Sequence, residues 1–285
     1  MDALSAEELD AKLREFLAED MGSGDVTTNA IVPPDAVAAA EIVAKSECVV
    51  SGLPAARRVF ELLDPRVSWQ ERALPGAKVA AGATLATLSG KARAIMTAER
   101  VALNLLQRMC GIATTTRRYV EAVEGTGCRI LDTRKTPPGL RAFDRAAVRD
   151  GGGKNHRFGL FDLVLIKDNH RTVAGGVAPA LEAVRRAAPE GMTVEVEVET
   201  EEDLRAAVAG GADRVLIDNQ SPETVGRWAA IARGSSRPPA IEASGNMTLG
   251  RVREYAVAGA DEISVGALTH SVCVADISLE IEMRR

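Results

Sequence analysis

The sequence predicts an α/β fold in which an α+β domain precedes an incomplete (β/α) barrel. After Gly127, short apolar strands alternate with amphipathic helices, a rhythm that produces a parallel sheet with right-handed crossovers. At least six such strands occur without a dinucleotide-binding fingerprint, which favours a barrel over a doubly wound sheet, and no eighth strand is evident. Aromatic residues make up 3% of the 285 residues, so aliphatic side chains must fill the core.

The first domain is expected over residues 1–110. It opens with a helix from Ser5 to Asp20, because Ser5 and Glu8 match a capping box and an apolar stripe follows. Residues 36–90 have β character, interrupted by a helix near residues 55–63. Two further helices are predicted, over Ala92–Cys110 and Ala113–Val123.

The barrel is expected over residues 111–270. Its predicted strands are residues 128–132, 163–167, 193–198, 214–218, 240–244 and 262–266. Its predicted helices include residues 177–188, 201–209, 222–232 and 248–258. A final helix, Ser271–Met283, is expected to pack back on the first domain, so that residues 271–285 form a C-terminal extension.

Positive charge is concentrated in residues 129–171. This segment holds ten Lys or Arg residues and five acids, within a chain of formal net charge −5. Such a local excess indicates a small polyanionic substrate. The acidic overall balance and scarce aromatics argue against nucleic-acid binding.

The remaining composition points to a cytoplasmic protein. The N-terminus lacks the pattern of a signal peptide, and no run reaches the ~18 apolar residues of a membrane span. The four cysteines are widely spaced without a CxxC motif, so we expect reduced thiols and no zinc or redox site.

Polar residues follow the predicted strands at their carboxyl ends, which converge on one mouth in a barrel. The candidates, in chain order, are Asp132, Thr133, Arg134, Lys135, Lys167, Asp168, Asn169, His170, Glu197, Asp218, Asn219, Ser244, Gly245, Asn246 and Gly266. The turns Ser244–Asn246 and Val265–Ala267 look suited to phosphate, the first because a helix is expected near Thr248.

Several candidates also have a purely structural interpretation. Glu197 could lie on the solvent-exposed face of a strand. Parallel strands are covered on both sides, however, so an inward carboxylate needs a partner or a ligand. Asp218 could be a helix N-cap, and Lys167 could pair with Asp168. Gly151–Gly153 could merely stop a helix, or could bring the segment Asn155–Arg157 close to a ligand.

The motifs together identify a family. The chain resembles the quinolinate phosphoribosyltransferases, also called carboxylating nicotinate-nucleotide pyrophosphorylases, in nine segments that occur in order from residue 19 to residue 271. They are EDMGSGDVTT, TAERVALNLLQRMCGIAT, DTRKTPPGLR, AVRDGGGKNHRFGL, LIKDNH, VEVEVET, VLIDN, IEASGN and ISVGALTHS. Asn246 stands where family members often have Gly.

This resemblance implies an N-terminal open α/β sandwich, an incomplete TIM-like barrel and a homodimer, with higher assembly left open. The implied reaction joins quinolinate to 5-phosphoribosyl-1-pyrophosphate with Mg²⁺, giving nicotinate mononucleotide, pyrophosphate and CO2 in de novo NAD synthesis. The residues implied around the quinolinate carboxylates and pyrophosphate are Arg100, Arg134, Lys135, His156, Arg157 and Lys167.

By the same resemblance, Glu197 and Asp218 would face the ribose hydroxyls and Mg²⁺, with Lys135, Glu197 and Asp218 as the catalytic set. Ser244–Asn246 and Val265–Ala267 would hold the 5-phosphate. Arg100 would act across the dimer, since its helix precedes the barrel and a twofold arrangement lays that helix over the partner's mouth.

Three other functions compete with this one. A paralogue of the same fold, such as the one associated with molybdenum transport, would take another acceptor. A phosphate-binding barrel isomerase or aldolase is the second, and an aldolase would use Lys167 as a Schiff-base lysine. A non-catalytic oligomeric scaffold would not require a charged barrel mouth.

Overall fold

The computed structural model describes residues 4–283. The helices are α1 (Ala6–Met21), α2 (Val26–Ile31), α3 (Leu53–Leu63), α4 (Ala92–Ala122), α5 (Arg141–Asp150), α6 (Asp168–Ala174), α7 (Val177–Ala187), α8 (Glu201–Ala209), α9 (Pro222–Arg233), α10 (Val252–Ala258) and α11 (Ala267–His270). The strands are β1 (Val37–Ala44), β2 (Cys48–Val49), β3 (Ser68–Glu71), β4 (Lys78–Val79), β5 (Thr84–Lys91), β6 (Arg129–Leu131), β7 (Val164–Ile166), β8 (Val194–Val198), β9 (Arg214–Asp218), β10 (Ala240–Ser244), β11 (Glu262–Ser264) and β12 (Ile277–Met283). Within residues 4–283, no helix is both long and apolar enough to cross a membrane.

The chain divides into two compact units. The first comprises Met1–Arg117, Thr136–Gly152 and Ser271–Arg285, and the second comprises Arg118–Lys135 and Gly153–His270. The first unit therefore includes α5, which comes from the middle of the basic segment.

The first unit is built on a four-stranded sheet with the strand order β12-β1-β5-β3. Its neighbouring strands are antiparallel. The capping box of α1 is confirmed, since Ser5 Oγ accepts a hydrogen bond from Glu8 N and the Glu8 carboxylate accepts one from Ser5 N. Leu13 and Leu17 of the predicted apolar stripe are buried.

The expected C-terminal helix is wrong, because the chain forms strand β12 there. Residues 277–282 alternate between apolar and polar side chains, which is the period of a strand. The strand pairs along the edge of β1, from Ala44↔Ile277 to Ala38↔Met283. Pairing with β12 satisfies the backbone N–H and C=O groups along the edge of β1, which a terminal helix would leave unpaired.

The two helices expected between residues 92 and 123 are one continuous helix, α4. Gly111, which falls between the two predicted helices, lies in the interior of α4, where another segment of the chain passes very close. A Cβ atom at Gly111 would lie 2.2 Å from the carbonyl oxygen of Cys273 and 2.9 Å from Cα of Val274. Glycine is thus required by contact with the segment leading into β12.

The second unit contains a six-stranded parallel sheet with the order β6-β11-β10-β9-β8-β7. All six predicted barrel strands are confirmed within two residues at each end. The strands at the two edges of this order, β6 and β7, are consecutive in the chain, so the sheet is a barrel left open between them. An isolated parallel bridge between Leu131 and Lys154 continues the pairing beyond β6 into that gap.

The barrel strands have one apolar and one polar face. The apolar side chains are fully or almost fully buried, as shown by Ile130, Val196, Val198, Val215, Ile217, Ile241, Ala243 and Ile263. The residues between them include Glu195, Glu197, Arg214, Asp218, Glu242, Ser244, Glu262 and Ser264. Since ion pairs join side chains of β8, β9, β10 and β11, this polar face is the inside of the barrel.

Candidate active site

The carboxyl ends of the parallel strands bring most of the predicted residues to one rim, which we call the mouth. Lys167 follows β7, Glu197 lies near the end of β8, and Asp218 ends β9. Ser244 ends β10, and residues 265–267 follow β11. The segment 132–135 follows β6, so every strand of the sheet contributes to the mouth.

Asp132 anchors the basic segment that precedes β7. Its buried carboxylate accepts hydrogen bonds from Asn155 Nδ2 at 2.6 Å and from His156 N at 2.7 Å. Arg157 is almost buried, and its Nη1 donates to the carbonyl oxygen of Leu163 at 3.2 Å. Burial and then the positive charge of Arg134 lower the pKa of Arg157. Two guanidinium groups are therefore held close enough to repel, which an anion between them would relieve.

Lys135 lies against the turn after β11. Its backbone N donates to Thr133 Oγ1 at 3.1 Å, and its carbonyl oxygen accepts from the buried Thr269 Oγ1 at 2.9 Å. A Cβ atom at Gly266 would lie 3.2 Å from Cδ of Lys135 and equally close to the imidazole of His270. Glycine at this position keeps space for both side chains. The neighbouring Val265 is fully buried, and its backbone N donates to the carbonyl oxygen of Leu131 at 3.0 Å, so Val265 shapes the turn and presents no N–H group to a ligand.

Lys167 pairs with Glu197 and not with Asp168. The Lys167 Nζ lies 2.9 Å from Glu197 Oε2, and the lysine is half-exposed whereas the carboxylate is nearly buried. The backbone N of Lys167 donates to His170 Nδ1, which fixes the start of α6. A cation and a carboxylate from adjacent strands thus face each other at the mouth.

Asp218 is not a helix cap, because Ser221 caps α9. Its Oδ2 accepts a hydrogen bond from Asn219 Nδ2 at 2.5 Å. Asn219 N in turn donates to the carbonyl oxygen of Ser244 at 3.0 Å, which joins the turn after β9 to the turn after β10.

The turn Ser244–Asn246 does not adjoin a helix as expected. Helix α10 begins at Val252, and Thr248–Arg251 form a turn before it. Any anion held there would therefore contact the turn itself and would gain little from a helix dipole, which acts over about one turn. The glycines 151–153 do stop a helix, since Gly151 is the C-cap of α5.

Arg214 lies inside the barrel among three buried carboxylates, a cluster that sequence reasoning missed. Its guanidinium pairs with Glu195 at 3.3 Å, with Glu242 at 2.5 Å and with Glu262. Ser264 Oγ donates to Glu242, and Arg129 lies 2.7 Å from Glu262. The alternation in residues 214–218 and 240–244 was the available signal, because a covered strand with polar alternate positions needs internal partners.

His156 connects this ion cluster to the basic segment. Its Nε2 lies 3.0 Å from Glu195 Oε2 and 3.4 Å from Glu242 Oε2, and its Nδ1 accepts a hydrogen bond from Arg157 N at 2.7 Å. Burial opposes a charged imidazole, but the hydrogen bonds with Glu195 and Glu242 outweigh it and raise the pKa of His156 to about 10. Burial and the charge of Glu242 also raise the pKa of Glu195.

The pair His156–Glu195 therefore retains one proton that belongs to both groups. The bond from Arg157 N needs the lone pair of Nδ1, so the proton of this pair lies at Nε2, facing Glu195. The histidine therefore accepts from the backbone of Arg157 at one ring nitrogen and faces the cluster with the other.

Two groups of residues could in principle hold a metal ion. Ligand atoms of His156, Glu195 and Glu242 lie within 4.8 Å of one another, but both carboxylates are already paired with Arg214. Glu197 and Asp218 suit Mg²⁺ better, since this ion commonly takes one or two carboxylates and completes its shell with phosphate oxygens and water.

Arg100 lies in the first unit, on α4. Its side chain is 58% exposed, and its contact with Glu99 at 3.9 Å is a weak surface pair.

Replacement of Arg214 tests the cluster. Arg214→Met leaves buried carboxylates without their main cation, so we expect the free energy of unfolding to fall by about 3–5 kcal/mol. Arg237→Met is the matched control, because Arg237 pairs with Asp213 with a side-chain exposure of 72%. There we expect a loss of about 0–1 kcal/mol. Urea denaturation measures both, and equal losses would contradict a stabilising role inside the barrel.

Alkaline pH should weaken the fold through His156. A group whose pKa rises on folding stabilises the folded state fully at pH values below its unfolded pKa, which is about 6.5 for histidine. This stabilisation is lost as the pH rises through the folded pKa, which is about 10 for His156. The raised pKa of Glu195 acts in the same direction. We expect the free energy of unfolding to fall between these pH values, and to fall less in His156→Gln. Urea denaturation across the range measures it, and parallel curves would show that the pair does not retain the proton.

Comparison with known proteins agrees with this geometry. Residues 25–110 match the family described as quinolinate phosphoribosyl transferase, N-terminal domain, and residues 112–280 match its C-terminal domain. A Bacillus subtilis protein named probable nicotinate-nucleotide pyrophosphorylase [carboxylating] is 43% identical over 95% of this chain and 92% of its own length. The Mycobacterium leprae nicotinate-nucleotide pyrophosphorylase [carboxylating] is 43% identical over 94% of this chain and 95% of its own.

Solved structures give the same result. The crystal structure of NadC from Streptococcus pyogenes superimposes with a TM-score of 0.94 and 37% identity over 99% of both chains. The nicotinate-nucleotide pyrophosphorylase from Francisella tularensis superimposes with a TM-score of 0.92 and 38% identity over 98% of both chains. The sequence motifs, the open parallel barrel with its charged mouth and these similarities agree: the chain belongs to the quinolinate phosphoribosyl transferase family.

Proposed function

We propose that this enzyme transfers the phosphoribosyl group of 5-phosphoribosyl-1-pyrophosphate, the ribosyl donor, to quinolinate. The products are nicotinate mononucleotide, pyrophosphate and CO2, which makes the reaction a step of NAD synthesis. The observation that carries the proposal is the charge arrangement at the mouth. Cations follow β6 and β7, carboxylates end β8 and β9, and compact turns follow β10 and β11.

The cationic side of the mouth suits the two ring carboxylates of quinolinate and the pyrophosphate of the donor. It includes Arg134, Lys135, Arg157 and Lys167, with His156 holding the backbone of Arg157. Guanidinium groups fork onto carboxylates and phosphates, whereas lysine acts as a point charge. The repulsion between Arg134 and Arg157 supports an anion site, because an incoming carboxylate would offset it.

The carboxylates of Glu197 and Asp218 would stabilise the ribose during transfer. Departure of pyrophosphate leaves positive charge at C1, which Glu197 and Asp218 can stabilise from neighbouring strands. The pyridine nitrogen then bonds to C1, and the ring becomes a pyridinium. Loss of CO2 leaves the electron pair at C2, next to the charged nitrogen, and a proton replaces the carboxylate there. Binding both anions in one orientation supplies much of the rate, so no nucleophilic side chain is required.

The turns Ser244–Asn246 and Val265–Ala267 hold the 5-phosphate by backbone N–H groups, those of Gly266 and Ala267 in the second turn, because Val265 N already donates to Leu131. Lys135 supports this role, since it lies against Gly266. Glu197 and Asp218 also hold Mg²⁺, which, when bound, neutralises charge on the departing pyrophosphate.

Arg100 belongs to the shared active site of a homodimer, reaching the substrate of the partner subunit. Its exposure supports this, as does a groove of about 690 Å³ in the first unit that Val101, Asn104 and Leu105 of the same helix help to line. The second unit carries the proposed catalytic residues Lys135, Glu197 and Asp218, and the enzyme works in the cytoplasm, where its four free cysteines stay reduced.

A product assay tests the function. Purified protein with quinolinate, the ribosyl donor and Mg²⁺ should form nicotinate mononucleotide and CO2, whereas nicotinate should give little product because it lacks the second carboxylate for the cationic side. Chromatography and release of labelled CO2 measure both. Equal turnover of nicotinate would refute the decarboxylating assignment.

Subunit mixing tests the shared site. Arg100→Ala and Lys135→Ala should each be inactive alone, yet a one-to-one mixture should regain about a quarter of the sites, because half of the dimers are mixed and each has one intact site. Lys135→Ala mixed with Arg157→Ala is the control and should regain nothing, since both changes lie in the second unit. If native mass spectrometry confirms exchange and both mixtures stay inactive, Arg100 does not act across the dimer.

A further inference from the structure

Two strained residues meet at the mouth. Among residues 4–283, Asn219 and Asn246 are the non-glycine residues with positive φ, at 52° and 48°. Their side chains are hydrogen-bonded to each other, with Asn246 Nδ2 at 3.2 Å from Asn219 Oδ1. Asparagine adopts left-handed backbone more readily than other non-glycine residues because its side chain can hydrogen-bond locally, and such backbone is enriched at functional sites.

Asn219 makes three contacts, two of which join the turn after β9 to the turn after β10. Its Nδ2 donates to Asp218 Oδ2 at 2.5 Å, its Oδ1 accepts from Asn246, and its backbone N donates to the carbonyl oxygen of Ser244 at 3.0 Å. A carboxylate accepts and an amide group donates, so only this orientation of the Asn219 amide satisfies both side-chain neighbours.

The two turns also fit closely. Gly245 has φ of 97°, and a Cβ atom there would lie 2.2 Å from Asn219 Oδ1. Behind Asn219, the carbonyl oxygen of Gln220 accepts a hydrogen bond from the buried Tyr255 hydroxyl at 3.0 Å. The turn after β9 is therefore held on both sides, and Asn219 is its point of contact with the turn after β10.

We propose that Asn219 is a positioning residue for the phosphoribosyl half of the site. It holds the Asp218 carboxylate by one oxygen and sets its separation from the turn Ser244–Asn246. The carboxylate that faces the ribose and the turn that binds the 5-phosphate are thereby kept at the spacing of one ribose phosphate. This inference rests on the proposed function, because it assigns the ribosyl donor to these two turns.

Asn219→Gly separates positioning from strain. Glycine adopts the same φ at no cost and removes only the amide, so the thermal melting temperature should stay the same or rise. We expect the KM for the ribosyl donor to rise about tenfold or more, the size of a lost hydrogen bond to a charged group, with the KM for quinolinate unchanged. Calorimetry with ribose 5-phosphate, without Mg²⁺, should show the same weakening.

Asn219→Asp and Asn246→Gly complete the experiment. Asn219→Asp keeps the size of the side chain but sets a second carboxylate against Asp218, so donor affinity should fall further than in Asn219→Gly. Asn246→Gly removes the other half of the bridge, and the double variant Asn219→Gly/Asn246→Gly should be no worse than Asn219→Gly alone, since both changes break one contact.

The possible failures are distinguishable. If the wild-type protein forms no nicotinate mononucleotide, the proposed function is wrong. If the wild type is active but Asn219→Gly keeps donor KM and ribose 5-phosphate affinity within twofold, the positioning role is wrong. A parallel loss of quinolinate affinity and thermal stability would also overturn it, because the asparagine would then support the whole fold.

Discussion

The pairing of Arg214 with Glu195, Glu242 and Glu262 inside the barrel is the interaction on which the second unit depends. Each carboxylate comes from a different strand, so the register of β8, β10 and β11 around β9 must bring all three to one guanidinium. A shift of one residue would turn the charges outward into the helices and the apolar side chains inward. Compensation of buried charge therefore selects the same register as apolar burial does.

The same register builds the mouth. Glu197 lies two residues beyond Glu195, and Ser244 lies two beyond Glu242, so the side chains at the floor and those at the rim share a face of each strand. His156 links floor and rim directly, with Glu195 at one ring nitrogen and the backbone of Arg157 at the other. The position of the basic segment is therefore tied to the ion cluster beneath it.

The strand order determines how the charged groups and the compact turns are arranged around the mouth. From β7 through β8, β9, β10 and β11 to β6, the sequence of groups is cation, carboxylate, carboxylate, two compact turns and again cations. This arrangement suits the proposed reaction, in which cations would face the carboxylates and pyrophosphate and carboxylates would face the ribose. A site of one charge sign would bind the anions without stabilising the positive charge that develops between them.

The sequence by itself determined the fold class, the six barrel strands and the residues that follow them, because period-two and helical patterns are local and strand ends in a parallel sheet share one edge. The helix predicted over Ser271–Met283 was wrong, because an alternating terminal segment forms a strand only where a free edge such as that of β1 is available for pairing. The sequence pattern also divided α4 at Gly111, where the reason for glycine is contact with residue 273. Only the tertiary structure decided the ion cluster around Arg214, the pairing of Lys167 with Glu197 and the bridge at Asn219. Each of these depends on distances between side chains on different strands, which local sequence patterns do not determine.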